Sequence, residues 1–313
     1  MKLNITTGIL LLCAVVSGCK KEAVDTTPSG IIDTYTLPQG NHDFDTRIVS
    51  YHQQYGTYLL YQFTDRDVYW SPTANTKPTM ASTGFWSTGV EVAPANVNYI
   101  SAQLDLIQSQ WFSYYSDKFL KEFLPSKILL CSKLDSVYAG YVFVPVFAYS
   151  KVTKPIPAYY NYDNITVGFG SDTITKLTAT DKRNFMARTN SQFIKSIASR
   201  TLSVPPVTFS SSVNYGVTYT SQGAAYAQGI LQVYYNGLTA QGDWNAYMAA
   251  MVNYSEKELN TSVADTDATA AGILNATKDK NGKIRQRYNM VRNYFINEYQ
   301  VDLQKIGNAA KGQ

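Results

Sequence analysis

The three cysteines constrain the fold more than any other feature of this chain. Cys13 and Cys19 lie in the N-terminal segment, and Cys131 is the only cysteine in the rest of the sequence. An intramolecular structural disulfide is therefore not expected in the body of the protein. About 280 residues must be held together by a packed core. Cys131 follows the apolar residues 128–130, which favours a buried small hydrophobe over a nucleophile.

The N-terminal segment has the pattern of an export signal. Lys2 is followed by an apolar run over 9–16, which is too short to span a bilayer. The run ends in Val-Ser-Gly-Cys at 16–19, which resembles the bacterial lipobox. The resemblance implies cleavage before Cys19 and attachment of acyl chains such as palmitate to that residue, whereas the alternative is an ordinary cleaved signal with an incidental cysteine. Lys20, in place of an aspartate, implies sorting to the outer membrane.

The sequence predicts three regions in the order signal, tether and domain. Residues 1–18 form the lipoprotein signal peptide. Residues 19–30 are polar, contain Pro28 and Gly30, and have the composition of a flexible lipidated tether. Residues 31–313 show no internal repeat or composition break and are predicted to form a single domain.

Composition argues against one class of partner and leaves another open. The net charge is +4, but the basic residues are scattered and form no stripe, so nucleic-acid binding is not expected. The chain contains 25 tyrosines among many amide and hydroxyl side chains. Such a surface suits stacking on sugars, but tyrosine is also a common strand residue, so both interpretations stay open.

Hydrophobic periodicity predicts an α+β fold, with a mixed sheet and helices in the N-terminal half and mostly helices in the C-terminal half. The helix 101–124 is expected to bury Leu104, Ile107, Trp111, Phe119 and Phe123. The predicted helices are 43–55, 101–124, 181–202, 222–235, 242–252, 267–276 and 284–300, and the predicted strands are 57–63, 127–132, 137–149 and 159–169.

Three segments together resemble one protein family. DFDTRIVSYHQQYGTYLLYQFTDRDVYW, FIKSIASRTLSVPPVTF and GKIRQRYNMVRNYFINEYQVDLQKI are similar, in order and spacing, to segments of the substrate import-associated zinc metallohydrolase lipoproteins, a family of zinc-binding metallopeptidases. The resemblance covers nearly the whole mature chain. It implies a zincin-like single domain.

The resemblance also implies that the metal site of this family has degenerated here. The family's active-site helix carries HExxH, in which two histidines bind zinc and the glutamate activates water. Phe193, Ile194 and Ile197 stand at the corresponding positions. A second, acidic family element matches 224–228, where Ala224, Ala225 and Gln228 replace its acids. No cofactor is therefore expected, although the family's cofactor is zinc.

Other catalytic groups are scarce. The chain has only two histidines, His42 and His52, for which a metal site is a minor alternative to polar residues on a helix capped by Asn41 or Asp43. A Ser-His-Asp or Cys-His arrangement would need one of these two histidines. A glycosidase needs only two carboxylates, and no pair stands out. Ser191 and Lys195 are four residues apart on the predicted active-site helix and could form a serine-lysine catalytic pair. This spacing is more typical of an exposed polar helix face.

The combined hypothesis is a lipoprotein that is anchored in the outer membrane at the cell surface and is non-catalytic, because the HExxH motif is absent. The resemblance implies a role beside a TonB-dependent importer and its nutrient-binding lipoprotein, in the capture of a glycan or peptide. Two alternatives stay open. One is an active hydrolase, metallopeptidase or glycosidase-like, with a non-standard site. The other is an interaction module of the importer complex, whose old cleft is filled by Phe193, Ile194 and Ile197.

Overall fold

The computed structural model describes residues 35–313, of which Leu37–Gln313 form one compact unit. The predicted signal peptide, the predicted tether and the lipidation site at Cys19 lie outside the described residues. These assignments therefore stay predictions.

The N-terminal half is built around a six-stranded mixed sheet. Its main path runs in the order β1-β3-β6-β5, in which β1, β3 and β6 are parallel and β5 is antiparallel at the edge. The strands are β1 (Tyr58–Leu60), β2 (Gly89–Pro94), β3 (Lys127–Val142), β4 (Ala148–Pro155), β5 (Ala158–Asn161) and β6 (Asn164–Val167).

Strand β3 is 16 residues long and therefore pairs with different strands along its two parts. Its first residues pair with β1 and β6 and are buried, as expected for parallel strands covered on both faces. Its second part pairs with β2 on one side and with β4 on the other. The β3–β4 pair continues beyond β2 as a projecting hairpin, whose last register pair joins Val142 and Ala148.

Some helices of the described region pack against this sheet, and others form the C-terminal half. The central one is α5, which contacts β5, β6 and helices α3, α8 and α11. The helices are α1 (Asp45–Tyr55), α2 (Asp65–Tyr69), α3 (Ile100–Gln110), α4 (Asp117–Phe123), α5 (Ala179–Ser199), α6 (Val207–Ser210), α7 (Gln222–Tyr226), α8 (Ala240–Asn253), α9 (Glu256–Asn260), α10 (Lys283–Tyr299) and α11 (Leu303–Ala310).

One aromatic cluster joins the two halves. Phe119 of α4 contacts Phe193 of α5 and also Phe295 and Tyr299 of α10, with ring centroids 5.5–6.0 Å apart. All these rings belong to a single buried core that extends from Phe44 to Ala310. The sheet half and the helical half therefore share one core.

The predicted α+β class, with its N-terminal mixed sheet and mostly helical C-terminal half, is confirmed. None of the helices between residues 35 and 313 is long and apolar enough to cross a membrane.

Three boundary predictions in the first half are wrong. The strand expected at 159–169 is a hairpin formed by β5 and β6. The helix expected at 101–124 is divided into α3 and α4, because Ser116 accepts a hydrogen bond from the backbone N–H of Phe119 and begins a new helix. Its five predicted core residues are nevertheless buried. The strand expected at 137–149 is instead the end of β3, a turn and the start of β4. Pro145 lies in that turn, where its missing N–H breaks no ladder hydrogen bond.

Two helices predicted in the second half are also corrected. The helix expected at 222–235 ends at Tyr226, and the segment 267–276 forms turns. Gly229 and Gly272 have positive φ angles of 80° and 73°, which end helical geometry at these points. The predicted helices at 181–202, 242–252 and 284–300 are present as α5, α8 and α10.

Candidate functional site

Helix α5 places Phe193 and Ile197, which match the two histidines of the HExxH motif, and Ile194, which matches its glutamate, in the core or beside it. The helix begins with a capping box, in which Thr178 and Asp181 exchange side-chain and backbone hydrogen bonds. Phe193 and Ile197 lie one turn apart on the same face and are fully buried. The Phe193 ring packs edge-on against Trp111 and Tyr115, with centroids 5.4 and 5.1 Å away. The centre of the predicted cleft is therefore aromatic core.

These residues do not fit a zinc ion. Phe193, Ile194 and Ile197 have no side-chain nitrogen, oxygen or sulfur that could bind it. No group of three or more His, Cys, Asp or Glu suitable for a metal is found within residues 35–313. No chemical step through zinc is derived for this chain.

The second family element lies at helix α7 and just after it. Ala225 is buried, Ala224 lines a surface cavity, and Gln228 accepts a hydrogen bond from the Lys283 ammonium at 2.6 Å. These three side chains hold no carboxylate, so this element supplies neither a metal ligand nor a general acid.

The two histidines are engaged in separate local contacts. His42 Nδ1 lies 3.0 Å from Asp45 Oδ2, and the imidazole stacks on Phe44. His52 packs on the ring of Tyr58, with centroids 4.1 Å apart. Helix α1 begins at Asp45, so the predicted caps Asn41 and Asp43 are wrong. Asp45 in the first turn instead accepts a hydrogen bond from the backbone N–H of His42.

Cys131 lies buried in β3, as predicted for a small core hydrophobe. Complete burial raises the pKa of its thiol, because a thiolate would lose its hydration. A nucleophilic role at Cys131 is therefore not supported.

A surface concavity surrounds the segment Leu231–Asn236, and we call it the helical groove. It comprises three adjoining cavities of about 640, 390 and 210 Å³. The first and second share Val233, the first and third share Ala268, and the second and third share Leu231. Ser191, Ile194 and Lys195 of α5 line one wall, so the groove lies beside this helix.

The lining of the helical groove mixes apolar surface with polar side chains, among which Lys195, Lys280 and Asp265 are charged. Tyr235 projects with 73% of its surface exposed and packs edge-on against Tyr234. The amide and hydroxyl side chains of the lining are Ser191, Ser221, Gln222, Thr266, Gln232, Asn236, Asn245 and Asn253. Such a surface donates and accepts hydrogen bonds and offers an aromatic face, which suits neutral polyhydroxylated ligands.

The one carboxylate in the described lining of these cavities, Asp265, is paired. Lys280 Nζ lies 2.6 Å from Asp265 Oδ2, and this charged hydrogen bond holds the pKa of the carboxyl below its ordinary value. Hydrogen bonds from Thr269 likewise lower the pKa of Asp267, which follows Asp265 by two residues in the sequence. Both groups stay ionised at neutral pH, which is the opposite of what a general acid needs.

A buried ion pair positions the segment that forms the groove. Asp243 Oδ1 accepts hydrogen bonds from the backbone N–H groups of Leu231 and Gln232, at 2.6 and 3.0 Å. Its other oxygen is 2.8 Å from Arg287 Nη2. Gln222 Oε1 then accepts from the backbone N–H of Tyr234. The groove is therefore held by side chains from three helices.

The edge strand β5 is covered by α5. Arg188 Nε donates to the carbonyl of Ala158 at 3.0 Å, and Gln192 Oε1 accepts from the backbone N–H of Tyr160 at 3.1 Å. An extended peptide would need these same outward-facing backbone groups to add as a further strand. Strand addition at β5 is therefore blocked.

Tyr234 and Tyr235 were not predicted as site residues, because the hydrophobic pattern of 222–235 indicated a helix that ends there. The Asn236-Gly237 dipeptide that follows them is a turn signal and indicated that this region is a loop. Ser191 and Lys195 were identified as an exposed polar pair, and both line the helical groove.

We expect the chain to bind little zinc. Residues 30–313, equilibrated with excess zinc and desalted, should retain less than about a tenth of an equivalent by elemental mass spectrometry, because the ligand positions hold hydrocarbon side chains. A tight single equivalent would contradict this result, and His42→Ala and His52→Ala variants would then locate the ion.

Comparisons with known proteins give one structural similarity. No protein-family model and no curated protein matches the chain. A crystal structure described as a "putative zinc-binding metallo-peptidase" from Bacteroides caccae is 14% identical over 86% of this chain and 90% of its own, with a TM-score of 0.44. Similarity at this level does not establish a shared function.

Proposed function

We propose that this protein is an outer-membrane lipoprotein that captures neutral glycan or peptide nutrients and does not hydrolyse them. The observation that carries the proposal is the helical groove, with its exposed Tyr235 and its lining of amide and hydroxyl groups. Capture needs a persistent polar surface and an aromatic face, and it needs no titrating group.

Two observations support the absence of hydrolysis. The residues at the family's catalytic positions on α5 are hydrocarbon side chains, of which Phe193 and Ile197 pack in the core. A glycosidase-like alternative requires a carboxyl with a raised pKa as general acid. The pairing with Lys280 has the opposite effect on Asp265.

A glycan is favoured over a peptide as the ligand. Peptides are commonly recognised by strand addition, and Arg188 and Gln192 already occupy the outward backbone groups of β5. The helical groove instead combines a projecting tyrosine with many neutral hydrogen-bonding groups, which matches the two faces of a sugar ring.

The membrane attachment and the importer are the further parts of this proposal. Lipidation at Cys19 would hold the domain at the outer membrane, where a TonB-dependent importer and its nutrient-binding lipoprotein would receive the captured ligand. Both expectations rest on the sequence resemblances described above.

The second candidate is an interaction module of the importer complex. It is favoured by the burial of Phe193, Ile194 and Ile197, which fill the position of the old cleft. Co-purification with an importer, combined with no binding of any oligosaccharide or peptide, would select this candidate over capture.

We expect Tyr235→Ala to weaken glycan binding at least tenfold. The ring is the most exposed aromatic group of the helical groove, and a lost aromatic contact of about 1.4 kcal/mol corresponds to a tenfold change in Kd. Isothermal titration with maltohexaose, cellohexaose, mannohexaose and xylohexaose would measure it. Tyr162→Ala, which removes an exposed tyrosine outside the groove, should leave binding unchanged.

Three outcomes of this titration are informative. Binding that both tyrosine variants retain would remove the groove from the proposal. Binding of neutral peptides but no oligosaccharide would keep capture and change the ligand class. Cleavage of any probe during the titration would contradict the non-catalytic assignment.

A further inference from the structure

The tip of the β3–β4 hairpin is an uninterrupted apolar surface. Its eight residues 141–148 (YVFVPVFA) are all exposed, and Phe143 and Val144 are 72% and 81% exposed. No charged residue occurs between Val137 and Ser150. Soluble domains rarely expose a contiguous apolar patch of this kind unless it binds something.

The tip is apolar on both of its faces. Successive residues of a strand point to opposite faces, so the cross-strand pairs Tyr141–Tyr149 and Val142–Ala148 lie on opposite sides of the hairpin. Both sides carry exposed apolar or aromatic groups. A protein groove contacts one face of such a hairpin, whereas lipid surrounds it on every side. The two-sided pattern therefore favours a bilayer over a protein partner.

Polarity increases in steps from the tip to the base of the hairpin. Phe143 and Phe147 contact each other at the tip, and Tyr141 and Tyr149 form the next aromatic row, 5.6 Å apart. Lys151 follows two residues further along β4. Its ammonium pairs with the Glu91 carboxylate and lies 4.5 Å from the centre of the Trp86 ring, so the exposed charge at this level comes from the next lysine along the strand.

This order matches the chemistry of a membrane interface. Apolar side chains enter the acyl boundary, tyrosine and tryptophan prefer the headgroup level, and lysine reaches the anionic headgroups. Lys154, further along the same strand, is also exposed and adds positive charge at the base.

We propose that the β3–β4 hairpin inserts its tip into the interface of a lipid bilayer. Insertion is shallow, because the turn residues between Val142 and Ala148 lie outside the strand ladder and their backbone groups need polar partners. Amphipathic helices at a membrane interface bury their apolar face about 5–10 Å into the boundary between headgroups and acyl chains, and we expect a similar depth for this tip.

This inference goes beyond the proposed function, which assigns membrane attachment only to acyl chains at Cys19. A hairpin contact in the same molecule would act at high effective concentration and would fix the orientation of the domain on the membrane.

Vesicle binding by residues 30–313 tests the proposal without an acyl anchor. Every member of the core lies between Phe44 and Ala310, so this chain retains the complete core. The probe is a vesicle of phosphatidylethanolamine and phosphatidylglycerol at 3:1. We expect Val144→Asp to lower the partition coefficient at least tenfold. The matched control is Val207→Asp, since Val207 on α6 is 80% exposed and should have no effect.

An environment-sensitive fluorophore gives a direct reading of depth. A nitrobenzoxadiazole group attached at Val144→Cys should brighten and shift to the blue on vesicle addition, whereas the same group at Val207→Cys should not. Cys131 is buried, so each variant has a single accessible thiol within the described residues.

Three results would overturn the proposal. The first is equal partitioning of Val144→Asp and Val207→Asp, and the second is no partitioning of the unmodified chain at millimolar lipid. The third is a dimer in sedimentation velocity that Val144→Asp abolishes, without vesicle binding, which would assign the tip to a second copy of the chain.

Discussion

Arg287→Ala should destabilise this protein by about 3–5 kcal/mol, the range measured when one partner of a buried ion pair is removed. Asp243 is fully buried, and its carboxylate would lose the guanidinium 2.8 Å away. Arg287 also donates to Ser212 Oγ and stacks over the Phe209 ring, 3.8 Å from its centre. The variant therefore loses a charge partner, a hydrogen bond and an aromatic contact together.

Urea unfolding, followed by circular dichroism, would measure this effect. Arg292→Ala is the matched control, because Arg292 lies on the same helix and pairs with Asp302 at 2.7 Å in a partly exposed position. Its loss should cost about 1 kcal/mol or less. Similar unfolding free energies for the two variants would show that the buried pair is not a principal source of stability.

The same variant should also affect the helical groove. Asp243 orients the backbone of Leu231 and Gln232, so a displaced carboxylate would move the segment that carries Tyr235. Weaker oligosaccharide binding by Arg287→Ala, with unchanged binding by Arg292→Ala, is the expected result of the titrations described above.

Phe193→Ala should cost about 3–5 kcal/mol, which is typical of truncating a phenylalanine in a well-packed core. Phe193 is fully buried among the rings of Trp111, Tyr115 and Phe119, which lie in α4 and in the segment before it. This variant distinguishes a filled core from an open cleft at this position, because a residue that lines an open cleft leaves no cavity when it is shortened.

Phe143→Ala is the matched control for this measurement. It removes the same atoms from an exposed position at the hairpin tip, and its unfolding free energy should change by no more than about 0.5 kcal/mol. A loss below about 1 kcal/mol for Phe193→Ala would indicate that the cleft is open, in conflict with the packing described here.

The sequence predicted those elements in which apolar side chains recur at a regular spacing and so define a buried face. Ile284, Tyr288, Val291, Phe295 and Tyr299 repeat at helical intervals, and all five are buried on α10. The sequence also predicted that Phe193 and Ile197 bind no metal, because these hydrocarbon side chains stand where the HExxH motif of the resembling family has its histidines.

The helical groove was not predictable in the same way. Its central segment is held by Asp243, which lies 11 and 12 positions away from the backbone groups that it binds. No local pattern encodes such a contact. The division between α3 and α4 had a local signal in Ser116, but the apolar periodicity of the region was the stronger indication and concealed it.

The covering of strand β5 by Arg188 and Gln192 has a consequence for crowded surroundings. An uncovered sheet edge is a template on which another copy of the same chain can add its own strand, and repetition of that step produces aggregates. Here two side chains of α5 occupy the backbone groups that such growth would require. The fold thus protects one edge of its main sheet against self-assembly, which would favour solubility at high local concentration.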